Sequence, residues 1–276
     1  MSTATGPAAE AKMPSVRTVG VARAQVELKQ FFRDRQSMMF TFALPLILLL
    51  VFGSVFNTDI APGVTFSQYF LAGMIASGLV YTGFQNLAIQ IPQEREDGTL
   101  KRLAGTPLPR PAYFVGKIAL VFVALVAQVF LLLLIGVALF KVHLPTTAFK
   151  WFTLVWVSLL GMLVCTLLGI AFSSVPKTAR GAPALVSPVV LVLQFTSGVF
   201  FLYSDLPKWM QQFAAIFPLK WLCQGMRSVF LPDSFAVQEV GGGWGLPRVA
   251  LALMIWLVIG SAACVLTFRW QRSDER

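Results

Sequence analysis

The chain has 276 residues, of which 57% are hydrophobic and only 12% charged, with a formal net charge of +10. A soluble domain carries roughly twice that charged fraction, so the composition excludes an ordinary water-soluble globule. The basic residues lie between apolar runs rather than on one soluble face. That pattern excludes nucleic acid as a partner and marks them as topology signals and contacts to membrane lipids of anionic type.

Residues 1–14, rich in Ala, Thr, Ser, Gly and Pro, read as a disordered N-terminus. Residues 15–36 change to an amphipathic helix with Val21, Ala24, Leu28, Phe31 and Phe32 on one side. Arg23, Glu27, Gln30 and Asp34 fall opposite, and such a helix lies in the membrane interface rather than crossing it. From 37 to 268 the pattern predicts an all-α polytopic membrane domain with six transmembrane helices. The expected spans are 37–56, 66–91, 112–140, 151–173, 183–202 and 246–268, each near the roughly 20 apolar residues that cross a bilayer. Between the last two, 206–217 and 219–231 are helix-like but too short and polar to span, which suits re-entrant or outer helices. GGGWG at 241–245 reads as a flexible hinge, and residues 269–276 as a polar tail.

Charge sets the orientation. Most of the 22 basic residues fall in the N-terminal segment, the 92–117 loop, the loop holding Lys177 and Arg180, and the tail. The positive-inside rule therefore puts both termini in the cytoplasm, which six spans satisfy. Cys165, Cys223 and Cys264 have no motif spacing; two read as small apolar packing residues and Cys223 as facing the outer side, while His143 reads as a solvated loop residue.

The loop at 92–117 breaks every apolar pattern. It holds Glu94, Arg95, Glu96, Asp97, Lys101 and Arg102 around Gly98, with Lys117 at the start of the third span. Composition alone fits a solvated topology anchor; complementary charge also fits docking on a cytoplasmic partner. The run Gln93-Glu94-Arg95-Glu96-Asp97-Gly98-Thr99-Leu100-Lys101-Arg102-Leu103, then Thr106-Pro107-Leu108 with Arg110 and Lys117, resembles the signature after the second span of ABC-2-type permeases. The likeness extends from Val16 through the outer helical pair, where Pro218, Leu219 and Arg227 stand at matching positions. It is nearest to the bacterial drug- and antibiotic-exporting branch, similar to daunorubicin-resistance permeases. The sequence departs from the common pattern in placing Lys220-Trp221 after Pro218-Leu219.

The resemblance implies a permease of the bacterial plasma membrane that works as a dimer, with itself or a related permease. It also implies that ATP and Mg bind on a separate ATP-binding-cassette subunit and that this chain holds no cofactor. It makes 94–102 a coupling helix acting through Glu94, Arg95, Glu96, Gly98, Thr99 and Arg102, with Phe31, Phe32 and Arg33 of the amphipathic helix beside the ATPase subunit. Pro218 and Arg227 would belong to an outer gate.

The residues themselves agree with an externally driven transporter. No Gly-x-x-x-x-Gly-Lys-Ser/Thr loop is present to cradle nucleotide phosphates. The expected spans hold no acid or base near their centres, where ion-coupled transporters place them, so a secondary transporter or channel is the weaker alternative. A membrane-embedded enzyme would need paired acids or a histidine cluster, which one His and scattered acids do not supply. Of the polar residues within spans, Asn86, Gln194 and Thr196 either bond between helices or touch substrate. Charge reversal at Glu94 and Glu96 is expected to uncouple transport while leaving insertion intact; unchanged transport would overturn the coupling assignment.

Overall fold

The computed structural model describes residues 16–56, 58–105 and 110–268. The expected disordered residues 1–14, the tail 269–276 and Thr106-Pro107-Leu108 of the loop motif lie outside them. Helix α1 (Val16–Arg33) leads into a rod made of α2 (Arg35–Met38), a π-helical turn (Met39–Ala43) and α3 (Leu44–Val55). Pro45 accounts for the π turn. A proline has no N–H to return to the preceding turn, and the register is handed over just before it, with Leu44 N bonded to Met39 O. A two-stranded antiparallel ribbon follows, β1 (Asp59–Ala61) with β2 (Val64–Thr65). Pro62-Gly63 turns it, with Gly63 at φ +73°, the sign a type II turn requires there.

The centre of the bundle is a long helix in three pieces. These are α4 (Phe66–Leu79), a second π segment (Val80–Gln85) and α5 (Asn86–Glu96). Every residue from Ser67 to Leu79 is buried, as expected of a helix that is apolar all round. Gly98, in the left-handed region at φ +72°, ends the run, and α6 (Thr99–Ala104) begins after it. The 94–102 coupling helix expected from sequence is therefore two pieces at an angle, because the left-handed glycine stops the first.

Next come α7 (Arg110–Phe140), α8 (Ala148–Phe172) and α9 (Gly181–Thr196). The chain closes with short α10 (Lys208–Ile216), nearly wholly buried α11 (Pro218–Phe230) and α12 (Leu246–Thr267). Within α7, α8 and α12, the stretches Pro111–Phe140, Ala148–Phe172 and Leu246–Thr267 are long and apolar enough to cross a bilayer. Two expected spans are shorter apolar helices, Thr41–Val55 and Gly181–Thr196. The π turn before Pro45 interrupts one, and Gly198 at φ +75° stops the other.

Helix α4 touches α3, α7, α8 and α11, and α12 packs on α8 and α11. Close approach at the middle depends on glycine. A Cβ at Gly169 of α8 would lie 2.5 Å from Gly83 O and 2.8 Å from Phe84 O, both backbone atoms of the second π segment that cannot swing aside. Gly169→Ala is therefore expected to lower stability by about 1–3 kcal/mol. Gly243→Ala, in open space, is expected to be neutral. Thermal unfolding of the purified protein in detergent decides; equal midpoints for the two variants would refute the close crossing.

Candidate functional site

At the end of the bundle that bears the charged loop, three segments meet around one buried cation. Lys117, fully buried on α7, donates to Glu27 of α1 at 2.9 Å, to Glu94 of α5, and to Gln90 at 3.2 Å. Tyr113, one turn earlier, donates to Glu94 Oε2 at 2.8 Å, and Arg23 pairs with Glu27. Two acids face two bases, so the cluster is neutral as a whole.

Helix α1 reaches Lys117 because Gly20 lies against Val115 and the Arg23 side chain crosses Gly116, where α7 offers no Cβ. The sequence places Glu27 on the water side of α1; the structure turns it fully inward. The packed stripe is Gly20, Glu27 and Phe31, while Val21, Val26 and Phe32 are exposed. The pairing energy of Glu27 with Lys117 outweighs apolar patterning here. Lys117, expected at the start of the third span, lies within α7.

The coupling candidates divide. Glu94, expected on the docking surface, is committed to the buried cluster. Arg95 Nη1 donates to Ser173 O at 3.2 Å, and Glu96 accepts from Ala179 N at 2.6 Å, so both fasten α5 to the turn after α8. Gly98 supplies the bend, and Thr99 accepts from Arg102 at 3.3 Å. Asp97, Lys101 and Arg102 are exposed beside it. Phe31 is buried with Leu120 and Ala124, whereas Phe32 is half exposed and Arg33 exposed.

A cleft of about 380 Å³ opens between the first rod, the central helix and α9. Thr41, Tyr81, Gln85, Asn86, Gln90 and Ser187 are among its walls. Asn86 stands in it. Gln194 lies behind it, buried, accepting from Tyr81 at 3.1 Å, and Thr196 bonds only its own helix at Val192 O and Leu193 O. Of the three substrate-path candidates, one lines the cleft.

At the opposite end, Arg227 of α11 is fully buried and pairs with Glu239, Nη2 to Oε2 at 3.1 Å. Burial opposes its charge, but the adjacent Glu239 carboxylate more than offsets this, holding the guanidinium pKa above its ordinary value. Tyr69 Oη donates to Gly198 O at 3.1 Å and accepts from Tyr203 N at 3.0 Å. The left-handed Gly198 is required, since a Cβ would lie 2.7 Å from Tyr203. Pro218, the other gate candidate, is buried at the first turn of α11.

A family model described as ABC-2 type transporter matches residues 21–231. The chain belongs to the ABC-2 type transporter family. It is therefore a multi-pass membrane protein and the membrane subunit of an ABC transporter, a kind that works with an ATP-binding subunit. Among its relatives is a Porphyra purpurea protein named as transport permease ycf38, 24% identical over 84% of this chain and 82% of that one. Another is an Escherichia coli protein named as multidrug ABC transporter permease YbhR. It is 26% identical over 64% of this ABC-2 chain, which spans 45% of that longer protein.

Within this ABC-2 permease, sequence reasoning overlooked Glu27, Tyr113 and Glu239, the partners of the two buried cations. The signal available was a Glu amid an otherwise apolar-facing stripe at three- and four-residue spacing. Removing one partner of a buried pair typically costs about 3–5 kcal/mol. Lys117→Met is expected to destabilise by that order, leaving Glu94 without its cation and Glu27 with Arg23 alone, while exposed Lys101→Met does little. Thermal unfolding of both variants tests this, and equal midpoints would dismiss the cluster as a structural keystone.

Proposed function

We propose that this permease is the membrane half of an exporter. It moves an amphipathic drug, antibiotic or lipid-like substrate out of the cytoplasm or inner leaflet, driven by a separate ATP-binding-cassette subunit that holds ATP and Mg. In this reading the chain sits in a bacterial plasma membrane with six spans and both termini cytoplasmic. Two of the six are the rod through α3 and the shorter α9, completed by the turns that flank them. The central helix is a third.

The observation that carries the proposal is the mounting of the charged loop. Exposed Asp97, Lys101 and Arg102 stand on a bend whose base is anchored on both sides, by Glu94 to the Lys117 cluster and by Arg95 and Glu96 to the turn after α8. A push on that bend reaches α1, α5 and α7 together, because breaking the Glu94–Lys117 anchor would strand a buried charge, and it reaches the turn after α8 through Arg95 and Glu96. A nearly apolar domain has no such need unless force enters there.

The cleft at Asn86 supports a substrate path lined mainly by amides and hydroxyls, with Asp34 at its wall, which suits an amphipathic cargo. The exposed apolar face of α9, with Leu185, Val189, Val192 and Phe195, borders it and supports pairing with a second permease, its own copy or a related one.

The test uses surface residues, since reversal at Glu94 would disrupt the interior. Lys101→Glu with Arg102→Glu should leave the protein inserted at normal levels while co-purification of the ATPase subunit and ATP-driven extrusion fall at least tenfold. Full extrusion and co-purification in that double variant would sink the assignment, as would cargo movement by the purified chain on an ion gradient without ATP.

A further inference from the structure

A cavity larger than the cleft at the charged-loop end is present among the described residues. It lies at the opposite end, about 670 Å³, between α10, α11, the 241–245 glycine run and the start of α12. Its walls hold three cations, Lys208, Lys220 and Arg248, and no carboxylate. Among the described residues none of the three belongs to an ion pair. Lys208 and Arg248 are exposed, but Lys220 is only 5% exposed. Its ammonium has an amide oxygen, Gln224 Oε1, and the face of Trp221 at 3.7 Å. A buried ammonium with neutral partners alone is costly, and a carboxylate or phosphate is its ordinary complement. The acid that acts on it electrostatically, Glu239, is already engaged by Arg227.

The other walls fit an anion as well. Gly241, Gly243 and Gly245 let a ligand approach the backbone without meeting a Cβ, and Arg248 lies over Gly241, 3.2 Å from where a Cβ would stand. The cavity sits where α12 begins its apolar run, with Trp221 in its wall, and aromatic rings at the ends of apolar runs are typical of the level of lipid head groups. Exposed Trp209, Phe213 and Ile216 on neighbouring α10 give that surface an apolar flank.

We propose that this cavity is a binding site for the net-anionic, phosphate-bearing head group of an amphiphile, with Lys220, Arg248 and Lys208 holding the anion and the α10 flank meeting the tail. Its position on the outer side of the membrane rests on the orientation proposed above; the cavity and its charge do not. Burial pushes the Lys220 ammonium down to about 8, opposed by Glu239 and reinforced by Arg227 and Arg248, with Tyr203 and Cys223 also facing it. An anion bound there would restore the proton, so binding weakens as pH rises from 7 to 9.

The full chain in neutral detergent is titrated by calorimetry with dihexanoylphosphatidylglycerol, dihexanoylphosphatidylcholine and inorganic phosphate. The anionic lipid analogue should bind best. Arg248→Gln and Lys208→Gln, at exposed positions that leave the fold intact, should each weaken it about tenfold, the loss expected for one charged hydrogen bond. Lys220→Gln should weaken it further. Equal binding by wild type and the two exposed-site variants would overturn the site. Binding of phosphatidylcholine as tight as phosphatidylglycerol would overturn the role of charge, and inorganic phosphate binding as tightly as the lipid would overturn the amphiphile. No ATPase subunit is needed, so failure here is distinguishable from failure of export.

Discussion

One ammonium group, fully buried, holds together the end of the molecule where the charged loop emerges. A lone charge in a protein interior is unstable by several kcal/mol, so Lys117 dictates where its neighbours stand. Glu27 must turn inward, which draws α1 onto α7; Glu94 must turn inward, which fixes the rotation of α5. With the phase of α5 set, Arg95 and Glu96 reach the turn after α8. The surface offered beyond Gly98 follows from those choices.

A second buried pair, Arg227 with Glu239, plays the matching part at the far end, tying α11 to the segment before α12 and, through Gly198, to the end of α9. Between the two ends the contacts are mostly apolar, with close backbone approach at glycines such as Gly169 and a hydrogen bond from Tyr81 to Gln194. The apolar contacts are short-ranged and non-directional, whereas the ionic ends are specific. The bundle is thus pinned at both faces and slippery in the middle, a division suited to helices that tilt while their ends keep their partners.

Much of this was legible in the sequence. The apolar runs located α7, α8 and α12 closely because length and composition decide them with little tertiary influence. The prolines at 218 and 232 marked the bounds of α11. What periodicity missed was long-range. Glu27 looked like a water-facing residue because nothing local reveals a cation 90 positions away. Arg227 stood out through the family resemblance, but its partner Glu239 is fixed only by the folding back of the 233–238 turn. The break at Gly98 was written in the residue type, and charge clustering masked it as a single helix.

The π segment at Val80–Gln85 has a further consequence. A π turn takes up one residue more than the α-helix around it, so everything after it is rotated by about 100° relative to an uninterrupted helix. Glu94 lies two turns or more beyond that point. Were the same residues Val80–Gln85 plainly α-helical, Glu94 would swing away from Lys117 while the outer half of the same helix kept its seat. The extra residue acts as a phase adjuster. It lets one continuous rod satisfy two interiors whose angular demands disagree, and it places the cost of that disagreement beside Tyr81 and Asn86, at the wall of the cleft.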